Sequence, residues 1–174
     1  MTHPDAHCKS VEALITLLDQ ITGDYERLTE LIENKIDAMR HADVNRLTRL
    51  LGEEHEIAAS VASKEGLRAQ LVETIARGFG VAPAAARAMT ITQVAARFAG
   101  DLHNPLIEAA TRVRDRVTVV ARRNHQAHLI ARGVVGHMRH VFAAMTGEQA
   151  VNEDYTRAGT SGARGKARIL DAVG

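Results

Sequence analysis

The chain has 174 residues, a length typical of a single domain with its own core. Aromatic residues make up only 3% and Trp is absent, so packing depends on aliphatic side chains and a β-sandwich is disfavoured. The formal net charge of +1 excludes a whole-protein field as the basis of nucleic-acid or membrane binding.

Cysteine content and the N-terminal segment bear on location. Cys8 is the single cysteine, which excludes an intramolecular disulfide and fits a reducing compartment. The segment MTHPDAHCKS lacks the pattern of a signal peptide, and no run of uncharged apolar residues is long enough to span a membrane. We therefore expect a cytoplasmic protein without membrane insertion.

The first predicted helix begins near Ser10 and carries a heptad stripe of apolar residues with one lysine in it. The stripe consists of Val11, Leu14, Leu18, Ile21, Tyr25, Leu28, Ile32, Lys35 and Met39. So narrow a stripe is typical of a helix that pairs with another long helix.

The second predicted helix is capped by Asp43 and runs to about Arg77. Its apolar pattern is interrupted by GEEHE and SKEG. We therefore expect it to pack at both ends and to be solvated or loosely held in the middle.

A loop with Pro83 follows, and then one short helix whose start is marked by Thr90 and Gln93, three residues apart as in a capping box. Asp101 or Asn104 is expected to open the last helix, which runs to about Met145.

The last helix has a seam in which three- and four-residue steps alternate throughout. The seam consists of Leu106, Ala110, Val113, Val117, Val120, Asn124, Ala127, Ala131, Val134, Met138, Val141 and Met145. Asn124 has two interpretations, a buried or half-buried residue that fixes the register or one that hydrogen-bonds a partner's backbone in a groove.

Charge favours pairing of the first and last helices. Residues 10–40 hold three basic and seven acidic residues, a net of −4, whereas residues 101–147 hold seven basic and three acidic residues, a net of +4. Opposite charge on two heptad helices is typical of partners.

The sequence gives little support for catalytic activity or for a metal site. His125 and His128, like His137 and His140, are three residues apart on the last helix, but the Glu-x-x-His pattern of four-helix metal sites is absent. A nucleic-acid interface would require interleaved aromatic residues or a helix-turn-helix. We predict no enzymatic activity, no metal, no cofactor and no nucleic-acid partner.

The end of the last helix is apolar on more than one stripe, with Met and Phe among its residues, which suits an adaptable protein-binding surface. The residues are Val134, Val135, Met138, Val141, Phe142 and Met145.

We predict a helical coiled-coil domain over residues 1–147 and a flexible tail, disordered in isolation, over residues 148–174. A tail without a binding role remains an alternative.

Five segments together resemble the flagellar export chaperone FlgN family. They are Leu31-Ile32-x-x-Lys35 after Tyr25; Asp43 with Leu47 and Leu50; Thr90-x-x-Gln93-Val94-Ala95; Asn124 followed by Leu129-Ile130; and the tail residues Tyr155, Gly159 and Arg168-Ile169-Leu170-Asp171. The chain departs from the family at Ala127, where members tend to have a second Asn, and in its use of Val and Ala for Leu.

The resemblance implies a chaperone of flagellar type III secretion that holds the hook-filament junction proteins, hook-associated proteins 1 and 3, and delivers them to the export gate. The expected client-binding residues are those at the helix end, together with Tyr155, Ile169 and Leu170 in the tail. We predict an all-α fold: an elongated antiparallel coiled-coil or helical bundle of three long helices and one short helix. A scaffolding coiled coil, including a homodimer, and a metal-dependent four-helix enzyme remain alternatives.

Overall fold

The computed structural model describes residues 4–97 and 101–146, which form five helices and no strand. The helices are α1 (Pro4–Arg40), α2 (Val44–Gly78), α3 (Pro83–Arg87), α4 (Ile91–Ala95) and α5 (His103–Thr146). The prediction of an all-α fold is confirmed. The chain divides into two compact units, Met1–Val135 and Gly136–Gly174, and α5 contributes residues to both.

The helix boundaries follow local chemistry. Asp43 caps α2 as predicted, because its Oδ1 accepts a hydrogen bond from the Arg46 backbone N–H at 2.9 Å. The capping box is confirmed as well: Thr90 Oγ1 accepts from the Gln93 N–H at 3.2 Å, and the Gln93 side chain accepts from the Thr90 N–H at 2.9 Å. α1 begins at Pro4, earlier than the predicted Ser10, since proline is well tolerated in the first helical turn.

One short helix was missed. The segment predicted as a loop contains α3, with Pro83 as its first residue and an alanine run after it. Alanine has the highest helix propensity, and proline at a first position costs no hydrogen bond, so this brief helix forms despite its Pro. The prediction of one short helix was wrong, because the described residues form two.

α1 and α2 are antiparallel. Asp24 pairs with Lys64 at 2.6 Å, and Lys35, farther along α1, pairs with Glu54, earlier in α2, also at 2.6 Å. The two helices therefore run in opposite directions. Ser60 also donates a hydrogen bond to Asp24 at 2.9 Å.

These ion pairs correct the prediction of a loosely held middle in α2. Glu54 comes from GEEHE and Lys64 from SKEG, and the side chains of both pairs are partly buried against α1. Burial of Tyr25 in the same region raises the pKa of its phenol above 10.0; nearby Glu65 adds to the rise, and Arg68 opposes it. The segments that interrupt the apolar pattern therefore pack through charge.

α1 and α5 are parallel, which corrects the antiparallel prediction for this pair. Their ion pairs ascend together along both helices, at 2.7, 2.7 and 3.0 Å: Asp19 with Arg112, Glu26 with Arg116 and Glu33 with Arg123. Because α2 returns the chain to the start of α1, the next long helix must begin there and run in the direction of α1.

Two apolar clusters hold the unit Met1–Val135 together. The larger one joins the start of α1, the end of α2, α3, α4 and the start of α5, around Leu14, Leu18, Ile75, Val94 and Leu106. The smaller one joins α1 and α5 through three buried residues, Ile32, Ile36 and Ala127, with Leu28, Met39, Val120 and Ile130 packed against them. α5 is thus anchored at its start and again at Ala127.

The ion pair of Asp24 with Lys64 predicts a measurable coupling. Asp24→Ala should lower the free energy of unfolding by about 2 kcal/mol, because Lys64 keeps a partly buried charge without its partner. Lys64→Met in the same chain should recover about 1 kcal/mol of that loss, as measured by urea unfolding. Asp115→Ala, at an exposed position on α5, is the control and should change stability by less than about 0.5 kcal/mol. Additive effects of the two substitutions would contradict the coupling.

The parallel register predicts a specific rescue. Arg123→Glu should destabilise the protein by about 0.5–1 kcal/mol at low salt, and Glu33→Arg in the same chain should restore stability. Glu26→Arg is the matched control and should give no rescue, because Glu26 pairs with Arg116. Rescue by Glu26→Arg in place of Glu33→Arg, measured by thermal unfolding, would show a different register.

Candidate protein-binding surface

The part of α5 in the unit Met1–Val135 has one covered face. Leu106, Ala109 and Ala127 are buried, and the arginines beside them pair with acids of α1. The prediction that charge pairs the first and last helices is confirmed. The signal for this pairing in the sequence was the opposite net charge of residues 10–40 and 101–147.

The predicted seam of α5 only partly matches this covered face. Val117 and Asn124 belong to the seam, yet both are exposed. The interpretation of Asn124 as a buried register-fixing residue is therefore wrong. Its other interpretation, a hydrogen bond to the backbone of a partner, remains a prediction.

The covered face of α5 ends with Ile130 in this unit. Ile130 packs in the smaller cluster with Met39, and α1 ends at Arg40, the next residue. Val134 and Val135 follow on α5, with 38% and 49% of their surface exposed. Both belong to the predicted client-binding set.

An open groove lies beside this last contact of α1 with α5. It has a volume of about 510 Å³ and is lined by Ile36, Leu129 and Ile130 among polar and charged neighbours. Leu129 is half exposed. In the sequence, Leu129-Ile130 stands out only as part of the family resemblance, because an apolar pair between His128 and Ala131 gives no other signal.

The unit Gly136–Gly174 is described over residues 136–146, which belong to α5. Met138, Val141, Phe142 and Met145 are exposed by 53%, 43%, 60% and 77%. Their spacing of three, four and seven residues from Met138 puts them on one side of a helix. These four residues are called the apolar face below. A protein rarely leaves so many large apolar side chains together in solvent without a binding role.

The remaining predicted client-binding residues belong to the predicted tail. Tyr155, Ile169 and Leu170 lie outside the described residues, as does the whole predicted tail. The predicted domain boundary at residue 147 also remains a prediction.

The described ranges contain neither a cluster of metal ligands nor a helix that could span a membrane. His125, His128, His137 and His140 are all exposed, and across residues 4–97 and 101–146 no three His, Cys, Asp or Glu side chains gather so as to hold a metal ion. None of the helices in these ranges combines the length and apolar content that crossing a bilayer requires.

The described residues define a class, an all-α protein with a helical hairpin and an exposed apolar helix face. The family model described as FlgN protein matches residues 1–162, more than nine-tenths of the chain. The chain therefore belongs to the FlgN family of flagellar export chaperones, and the resemblance found in the sequence is confirmed. Neither a curated protein nor a solved structure matches the chain.

The exposure of the apolar face predicts that it contributes little to stability. Phe142→Ser should change the free energy of unfolding by less than about 0.5 kcal/mol, because its ring makes few contacts in the free protein. Leu14→Ala, at a fully buried position of α1, should cost about 2–5 kcal/mol. Calorimetric unfolding distinguishes the two, and a loss above about 2 kcal/mol for Phe142→Ser would show that the face is packed.

Proposed function

We propose that this protein binds the hook-filament junction proteins, hook-associated proteins 1 and 3, in the cytosol and delivers them to the flagellar export gate. Membership of a flagellar export chaperone family supports the general role. The observation that carries the binding site is the exposed apolar face at the end of α5. The proposal involves no catalytic step, metal or cofactor.

The chemistry of the apolar face suits a helical client. An amphipathic helix binds through residues spaced three, four and seven apart, and the face offers the same spacing in return. Met138 and Met145 have flexible side chains that adapt to different partners, which fits a chaperone with more than one client. Covering the client's apolar stripe would keep it from associating before export.

The apolar face alone supports only weak binding. Burying one side chain of this size contributes roughly 1.5–3 kcal/mol, and the four residues are already partly covered. Association itself costs about 4–15 kcal/mol, which offsets most of this gain. We therefore assign Val134, Val135, Tyr155, Ile169 and Leu170 to the binding site as well, with the tail residues acting as tethered anchors of high effective concentration.

Calorimetric titration with the terminal helical segments of the same organism's junction proteins tests the proposal. The full chain should bind one of them with a Kd of about 1 μM or tighter, and a chain ending at Gly147 should bind more weakly at unchanged thermal stability. Phe142→Ser with Met145→Ser should weaken binding at least about tenfold, because anchors of this kind dominate binding energy.

Val44→Ser is the matched control, since Val44 on α2 is 69% exposed but lies outside the proposed site. It should leave the Kd within about twofold of the original. Absence of binding to every junction segment, repeated by fluorescence anisotropy because a binding enthalpy can vanish, would contradict the proposal.

A scaffolding coiled coil is the second candidate. Val117 and Leu129 on α5 are exposed by 41% and 53%, and a second copy of the chain could cover them. Sedimentation would then show a stable dimer in the absence of any client.

A further inference from the structure

The apolar face at the end of α5 has a basic residue at each edge. His137 lies four residues before Val141, and Arg139 lies three residues before Phe142, so helical spacing puts them on opposite sides of the face. Both are exposed. Residues 136–146 contain no Asp or Glu.

The absence of acid extends well back along the helix. From Arg116 to Thr146 the sequence has five arginines, four histidines and no acidic residue; of these arginines, Arg116 and Arg123 pair with acids of α1. A partner with basic flanks would meet the like charge of Arg139 beside the apolar face, and a neutral partner would leave that charge unpaired. Acidic residues beside the apolar stripe of a partner helix would favour its binding, and helices with basic residues there would be excluded.

In the unit Met1–Val135, α5 already has a partner helix with acidic flanks. There it is covered by α1, an amphipathic helix that contributes apolar Ile32 and Ile36 and flanking acids. Each acid reaches an arginine of α5 within 3.0 Å; the acids are Asp19, Glu26 and Glu33. These acids are paired, so they are not free to serve the apolar face.

We propose that the segment which covers the apolar face is an amphipathic client helix with Asp and Glu on both edges of its apolar stripe. Such a helix would match the face as α1 matches the earlier part of α5. The identity of the occupant as an export client rests on the proposed function, whereas the chemistry of its flanks rests on His137, Arg139 and the precedent of α1.

Three designed helical peptides of about 18 residues, the length of five turns, test the flanks directly. All carry the same Leu stripe, and they differ only in having Glu, Gln or Lys at the positions beside it. Fluorescence anisotropy with the full chain should give the tightest binding for the Glu peptide. The Gln peptide should bind about twofold to fivefold more weakly and the Lys peptide more weakly again, with differences that shrink at high salt.

Arg139→Glu tests whether the preference comes from this face. It should abolish or reverse the preference for Glu over Lys. Arg49→Glu is the matched control, since it makes the same change of charge at an exposed position on α2 and should leave the order unchanged.

The inference is overturned by equal binding of the three peptides, by a preference for Lys, by no binding of any of them, or by an order that Arg139→Glu does not alter. It is also overturned if Phe142→Ser dissolves a stable dimer of the free protein, because a second copy would then cover the face. A large gain in Glu-peptide affinity on ending the chain at Gly147 would instead assign the face to the chain's own segment after that residue.

The terminal segments of the junction proteins separate this inference from the proposed function. If they bind but Arg139→Glu leaves their Kd unchanged, the inference fails and the proposed function stands. If they do not bind while the designed peptides keep the order Glu, Gln, Lys, the proposed function fails and the acidic-flank preference stands.

Discussion

Helix α1 holds two long partners, and the unit Met1–Val135 depends on both contacts. The larger apolar cluster joins the start of α1 to both α2 and α5, and farther along α1 each partner is held by a different kind of contact. Toward α2 it uses partly buried ion pairs, with Asp24 bound to Lys64 and Lys35 bound to Glu54. Toward α5 it uses an apolar strip flanked by exposed ion pairs such as Glu33 with Arg123. Exposed pairs contribute little stability each, so they serve mainly to set the register, while the apolar strip supplies the attraction.

Within the unit Met1–Val135, the contacts of α1 with α5 extend to the last turn of α1. α1 ends at Arg40, and the smaller cluster includes Met39 and Ile130 as its last members along the two helices. α5 itself continues to Thr146 with the same mixture of apolar and basic residues. The exposed apolar residues in this last part of α5 suit the capture of another helix, and this links the fold to chaperone function.

Local chemistry was predictable from the sequence because it depends on a few neighbouring residues. The Asp43 cap and the Thr90 capping box are of this kind, and opposite net charge also identified α1 and α5 as partners. The direction of that pairing was not predictable, because heptad spacing looks the same read along a helix in either direction. The short helix that begins at Pro83 was missed because proline, and glycine nearby, favour a loop.

Charged residues misled the sequence analysis in the middle of α2. Glu54 and Lys64 interrupt an apolar stripe, and only the partner helix shows that each meets an opposite charge. Asn124 was misplaced for another reason. Regular spacing put it on the seam, but the face that α1 covers at this level contains Val120 and Ala127, and Asn124 is exposed. In the apolar face, by contrast, Met138 and Phe142 were recognised correctly as exposed, because apolar residues on more than one stripe exceed what a single partner helix covers.

Hydrogen exchange of the full chain, with and without a terminal helical segment of a junction protein, would show whether the client binds at the apolar face. We expect slower exchange over residues 136–146 when the segment is bound, because a client helix would cover the apolar face and suppress local opening of α5. Exchange in the middle of α2, around Glu54, should be unchanged. Protection confined to the hairpin of α1 and α2, with residues 136–146 unaffected, would contradict binding of the client at the apolar face.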